Sequence, residues 1–314
     1  MSETKSIPSI KPLGDSFYET LLNNLQEAIN LIDPENQVIF WNQAAENLTG
    51  YSRAEVMGRE CPKNILLDLE EEGLHLCKDI CPAKQVLEDG GVRSLEAYIQ
   101  HKDGYRLPVK MCIIPVLGQD KQPIAALETY LDSSPKVALP LKLADLERMG
   151  LLDPLTTTGN RRFLEMHLHS RLEEKKAYGV DFGILYIDID DMNTVNTTYG
   201  SVAGDKFIRM ISQTLASNIR FFEVVGRWEG QEFLAVLLNV DESKLDLVGN
   251  KLRLLVEQSH LSEEDNFIRA TISIGATTAR TGDSTESLVN RAKELAGHSK
   301  WLGKNRVSLK ISRE

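Results

Sequence analysis

The segment Phe182-Gly183-Ile184-Leu185-Tyr186-Ile187-Asp188-Ile189-Asp190-Asp191 constrains this chain most: a mostly apolar run that stops on three carboxylates. Such a run predicts a buried strand that delivers its acids to one end. A second stretch matches it. Gly226-Arg227-Trp228-Glu229-Gly230-Gln231-Glu232-Phe233, followed by Leu234-Ala235-Val236-Leu237-Leu238, reads as a β-hairpin, because a short turn of small and polar residues separates two apolar segments. A carboxylate cluster at a strand end, facing an acidic hairpin tip, can hold Mg²⁺ on a phosphate substrate, since that ion takes oxygen ligands in octahedral geometry. Taken singly, each segment equally fits a solvated strand end beside an acidic turn.

Further segments follow in a fixed order. They are Asp153-Pro154-Leu155-Thr156 with Asn160-Arg161-Arg162, Asp188-Ile189-Asp190, Asn196 with Tyr199-Gly200 and Gly204-Asp205, the hairpin, Thr271-Ile272-Ser273-Ile274-Gly275, and Lys300 with Gly303-Lys304-Asn305-Arg306-Val307. From about Leu151 to Val307 the chain thus resembles the GGDEF domain of diguanylate cyclases, which join two GTP molecules into cyclic di-GMP. The resemblance implies a nucleotidyl-cyclase-like central sheet surrounded by helices. It also implies roles: Asp188 and the carbonyl of Ile189 on Mg²⁺, Asn196 and Asp205 on guanine, Lys300 and Lys304 on the triphosphate, and Arg220 with Glu223 at the place of an inhibitory product site.

The signature itself departs from the family. Glu229-Gly230-Gln231-Glu232-Phe233 stands where Gly-Gly-Asp/Glu-Glu-Phe is usual. Gln231 replaces the carboxylate that ligates metal and is assigned as proton acceptor. A neutral amide offers one weak oxygen and accepts no proton at neutral pH. Glu229 replaces the first glycine; if that place needs φ > 0, a side chain there costs roughly 1–2 kcal/mol. Its carboxylate would also repel a bound phosphate. Glu232 is retained. Thr157-Thr158, Asn193, Ser201 and Gly297 differ from the family pattern as well.

The first half predicts a second domain. Asp15–Leu25 reads as a helix behind a capping residue. Ala28–Asp33 and Val38–Asn42 read as strands around Pro34-Glu35-Asn36, and the next segment as a short helix ended by Gly50. Leu95–Gln100, Arg106–Ile114 and Ile124–Tyr130 supply further strands. This passage resembles a PAS sensor domain, an antiparallel sheet with flanking helices, whose ligand the residues do not name. Cys61, Cys77 and Cys81 flank an acidic segment, an arrangement similar to that of PAS domains preceding GGDEF domains. With His75 they could complete a Cys₃His zinc set; the alternative is buried thiols without chemistry. Leu143, Leu146 and Met149 give the connector 141–149 a helical seam suited to a dimer.

The expected organisation is therefore α/β and α+β: a tail and helix over 1–19, a PAS domain over 20–133, a helical linker over 134–150 and a GGDEF domain over 151–314. A net charge of −10 argues against a general nucleic-acid surface, and no apolar run approaches the roughly 20 residues that span a bilayer. A cytoplasmic protein is expected, acting as a homodimer through PAS and linker or as a heterodimer with another GGDEF protein. Two functions stay open. One is an impaired cyclase serving as a GTP- or cyclic di-GMP-binding or interaction module. The other is a working cyclase in which Glu232 or Glu229 supplies the missing carboxylate.

Overall fold

The structure, a computed structural model, describes residues 15–60, 81–134, 146–147, 149–220, 222–263 and 266–310. In the N-terminal part, helix α1 (Asp15–Asn23) precedes β1 (Ala28–Ile32), β2 (Val38–Trp41), α2 (Gln43–Thr49), α3 (Arg53–Val56), α4 (Pro82–Asp89), β3 (Arg93–Gln100), β4 (Arg106–Leu117) and β5 (Pro123–Asp132). The sheet runs β2-β1-β5-β4-β3, and β1 pairs antiparallel with both β2 and β5.

Asn42 ties the opening of this sheet together. Its Oδ1 accepts from the amides of Ile29 and Ala45, while its Nδ2 donates to the carbonyls of Leu22 and Glu27. One carboxamide thus caps α2 and fastens the chain leaving α1, as an N-cap asparagine can. Gly50 ends α2 at φ 76°, the left-handed cap that its sequence position predicts. Ile32, Val38, Trp41, Met111, Ile113 and Ala126 are buried in the sheet. Among them Glu128 accepts from Asn30 Nδ2 at 2.9 Å and from the Tyr130 hydroxyl, and burial raises its carboxyl above the usual carboxylate range.

The C-terminal part contains α5 (Arg161–Tyr178), β6 (Phe182–Ile189), α6 (Met192–Ser217), β7 (Val224–Glu229), β8 (Glu232–Leu238), α7 (Glu242–Gln258), the short pair β9 (Leu261–Glu263) and β10 (Asn266–Ile268), β11 (Ile272–Thr278), α8 (Thr285–Trp301) and β12 (Val307–Ser308). Its main sheet runs β12-β11-β6-β8-β7, antiparallel except for the β11–β12 pair. Burial on both faces explains why β6 is almost wholly apolar up to Asp188. Leu185, Ile187 and Ile189 pack with residues of α6 and α7, whereas Phe182, Ile184 and Tyr186 pack with residues of α5 and α8. Helices therefore cover both faces.

The same parity decides where the acids go. Asp188 continues the even series of β6, and Glu232 lies directly opposite it on β8, in the series of Leu234 and Val236. Both side chains are thereby sent to the α8 face.

Helix α8 is anchored at its start by Arg291, which pairs with Asp283 through Nη1 at 2.9 Å and Nη2 at 2.7 Å and also donates to Thr277 Oγ1 and the Thr278 carbonyl. The hydrogen bonds from Arg291 are the largest cause lowering the Asp283 carboxyl from 3.8 to about 2. A carboxyl depressed by folding stabilises the protein fully above its unfolded value and loses that contribution as pH falls through its folded value. The pair should therefore contribute about 1–2 kcal/mol above pH 4, after discounting for solvent, and lose it towards pH 2. Urea titrations of wild type and Asp283→Asn at pH 5 and pH 2.5 should converge at the acid end; a gap of unchanged size would refute the assignment.

Leu146 and Glu147 are helical and Met149 lies in a turn; Leu143 lies outside the described residues, as do Cys61, Cys77 and His75. The proposed thiol cluster is thus represented by Cys81 alone, which is half-buried. Among the described residues no group of His, Cys, Asp or Glu is placed to hold a metal ion, and no helix is long and apolar enough to cross a membrane.

Candidate nucleotide and metal site

The end of β6, the β7–β8 hairpin and the face of α8 meet around Asp188. The hairpin closes with the two residues Gly230 and Gln231, with Glu229 paired to Glu232 across it. Gly230 carries the positive φ, 52°, as the first residue of a tight hairpin turn does. Glu229 is the last residue of β7 and is absent from the positive-φ positions. The strain expected at Glu229 therefore does not arise: the retained glycine occupies the one position that needs it. The Glu229 carboxylate turns to Arg161 at 3.8 Å, whose guanidinium lies over the Trp228 ring.

Gln231 closes the hairpin onto the strand end. Its Nε2 donates to Asp188 Oδ1 at 3.1 Å and to the Ile189 carbonyl at 3.3 Å, and its own carbonyl accepts from the Ile189 amide at 3.3 Å. These are the carboxylate and carbonyl that the resemblance assigns to metal. Asp188 Oδ2 is engaged by Lys300 Nζ at 2.7 Å. An N–H donor and an ammonium thus already lie against the oxygens a cation would need. As arranged, the group does not fit Mg²⁺, which requires oxygens in near-octahedral array. Rotating the amide would expose one neutral oxygen and forfeit both hydrogen bonds.

Like charges directly opposite on adjacent strands repel. Asp188 and Glu232 form such a pair, and α8 answers each with its own lysine: Lys300 on Asp188, and Lys293 on Glu232 at 2.9 and 3.1 Å. Seven residues separate the two lysines, two helical turns or about 10 Å along the same face. Tyr186, beneath Lys293 Nζ at 5.4 Å from its ring centre, has its phenol pushed well above the usual range by burial and by the nearby Glu232.

The three terminal acids of β6 have three different fates. Asp190 is 1% exposed and accepts from Thr271 Oγ1 and Ser273 Oγ, each at 2.7 Å, and from the Asn305 amide at 3.2 Å. Asp191 is exposed and takes Lys304 Nζ at 2.5 Å, a hydrogen bond that raises the lysine above its usual range. The loop bearing Lys304 has φ of 111° at Gly303, 62° at Lys304 and 48° at Asn305, and Asp190 holds it through Asn305.

Asn196 and Asp205, which the resemblance assigns to guanine, are both exposed, on either side of a break at Gly200 (φ 85°) that divides α6 into two helices. Gly204 gives Asn196 its space, since a Cβ there would come within 1.9 Å of Asn196 Oδ1. Glu223 is buried, and its carboxylate accepts from the Arg220 backbone amide at 2.8 Å, closing its own turn.

Residues 151–306 match the diguanylate cyclase GGDEF domain family and residues 26–134 the PAS domain family. The chain belongs to the PAS–GGDEF diguanylate cyclase family. Diguanylate cyclase DosC of Escherichia coli K12 is 31% identical over 159 residues, covering 50% of this chain and 35% of DosC. Diguanylate cyclase DgcZ of the same organism is 25% identical over 215 residues, 68% of this chain and 72% of DgcZ. Among solved structures, diguanylate cyclase SiaD of Pseudomonas aeruginosa, in complex with its activator SiaC, superposes with a TM-score of 0.52 at 29% identity, covering 54% of this chain and 65% of SiaD. The chain spans about a third of the length of the curated relatives it first matches.

Within this family frame, sequence reasoning passed over Lys293 and gave no role to Arg161 or to the partners of Asp190. The signal for Lys293 was its spacing from Lys300. For Asp190 it was the polar alternation Thr271-x-Ser273, which puts two hydroxyls on one side of the chain entering β11.

Proposed function

We propose that the GGDEF domain of this chain is impaired as a diguanylate cyclase and serves as a nucleotide-binding or protein-interaction module, regulated by the PAS domain within a cytoplasmic homodimer. The observation that carries this reading is the Gln231 amide, which donates to both Asp188 and the Ile189 carbonyl. A working site needs a carboxylate there, both to ligate cation and to take the attacking hydroxyl's proton. Of the two alternative acids, Glu232 is paired with Lys293, and Glu229, 70% exposed, lies 3.8 Å from Arg161. The accessible Asn196 and Asp205 support retention of a guanine-reading end, able to take GTP or cyclic di-GMP.

The test is cyclic di-GMP formation by the purified full-length protein with GTP and Mg²⁺, beside Glu229→Gly/Gln231→Asp. Wild type should be slower than this double variant by about 10-fold or more, the usual scale for losing a group that supports a metal. Turnover by wild type equal to that of the double variant would refute impairment. Calorimetric titration with GTP and with cyclic di-GMP separates the two kinds of module; saturable heat supports nucleotide binding, and its absence leaves the interaction role.

A further inference from the structure

Glu232 is the acid best placed to make good the loss at Gln231. It sits directly opposite Asp188, so their Cβ atoms are about 5 Å apart across the strand pair. Its side chain is only 17% exposed, and both of its carboxylate oxygens face Lys293 Nζ, at 2.9 and 3.1 Å. Lys293 is in turn fixed over the Tyr186 ring at 5.4 Å, a cation–π contact that adds to the ion pair. Moving the Glu232 carboxylate towards Asp188 requires breaking this pair. It would also bring two carboxylates together, with one lysine, Lys300, between them and the helix.

From this geometry we propose that Lys293 is a positioning residue that holds Glu232 away from the cation site, a second block on cation binding that acts beside Gln231. The proposal rests on the reading of the hairpin as impaired, and it adds that restoring the hairpin alone recovers only part of the lost activity. Lys293 touches no reacting atom; it acts through Glu232.

Two effects of removing Lys293 have to be separated. Deleting any positive charge near a cation site favours the cation through the local field, whatever Glu232 does. Release of Glu232 adds a ligand, and that part disappears when residue 232 cannot ligate as an acid. A double-mutant cycle isolates it.

Mn²⁺ binding to the full-length protein, measured by electron paramagnetic resonance with a non-hydrolysable GTP analogue present, is the primary readout. Lys293→Ala should tighten Mn²⁺ binding by about 10-fold, the scale of a neighbouring group that sets a ligand's position. In the Glu232→Gln background the same substitution should change it by less than about 3-fold. In the Glu229→Gly/Gln231→Asp background, Lys293→Ala should raise cyclic di-GMP turnover by about another 10-fold. An unchanged Mn²⁺ affinity in Lys293→Ala, or an undiminished gain in Glu232→Gln, overturns the proposal. Failure of the underlying reading shows elsewhere, as wild-type turnover equal to that of the double variant, and leaves the Mn²⁺ cycle to decide the role of Lys293.

Discussion

Gly275→Ala is expected to destabilise the C-terminal domain by about 3 kcal/mol or more, at the top of the range for forcing extra atoms into a packed interior. A Cβ built at Gly275 would lie 1.9 Å from the Ala292 carbonyl oxygen and 2.4 Å from the Ala296 amide nitrogen. Both are backbone atoms of α8, so no rotamer change relieves the clash; the helix itself must move off β11. That shift would carry Lys293 and Lys300 away from Glu232 and Asp188, because the two contacting residues lie between or beside them on the same helix. Gly297→Ala on α8 is the control. Nothing lies within 4 Å of its Cβ, and alanine in a helix interior is favoured over glycine by up to about 1 kcal/mol. Urea unfolding should therefore move in opposite directions for two glycine-to-alanine changes that meet at one helix. A cost below about 1 kcal/mol for Gly275→Ala would mean that α8 is not seated on β11 as described.

The contrast shows what the sequence could and could not convey. Apolar runs and turn chemistry carried the fold: the strands around Pro34-Glu35-Asn36, the helix ended by Gly50 and the hairpin centred on Gly230 each follow from local residue preferences. The site depended on register. Asp188, Asp190 and Asp191 are neighbours in sequence, and only the pairing of Ser273 with Asp188 and of Glu232 with Asp188 decides which acid faces α8, which is buried and which is solvated. A register one residue different would exchange the faces. Glu229 shows the opposite limit. Its replacement of a glycine suggested backbone strain, but a two-residue turn needs one permissive position, and Gly230 supplies it. Lys293 was hidden for a further reason: a lysine on an amphipathic helix is ordinarily a solvated one, and this one is 51% exposed. Its partner is set by tertiary structure rather than by its own neighbours.

Asp190→Ala is the second large effect expected, a loss of about 3–5 kcal/mol measured by chemical denaturation. The wild-type carboxylate is nearly inaccessible and holds three donors from three places in the chain: Thr271 just before β11, Ser273 within it, and Asn305 in the loop after α8. Hydrogen bonds to an ionised acceptor are roughly twice as strong as neutral ones. Removing the carboxylate strands the buried Ser273 hydroxyl, which carries its own desolvation penalty, and takes the acceptor from the half-buried Thr271 hydroxyl and Asn305 amide. Asp190→Asn keeps the shape but turns a donor towards a donor on at least one side, so it should recover only part of the loss. The loop consequence is separable from global stability. Gly303, Lys304 and Asn305 all hold positive φ, a conformation that persists only while surrounding contacts impose it. Without the Asn305–Asp190 bond the loop should relax first, and amide exchange at Asn305 and Arg306 should rise before exchange in β6 or β11 does. If exchange in the loop and in the strands rose together, Asp190 would be a core residue like its apolar neighbours rather than the clamp that presents Lys304.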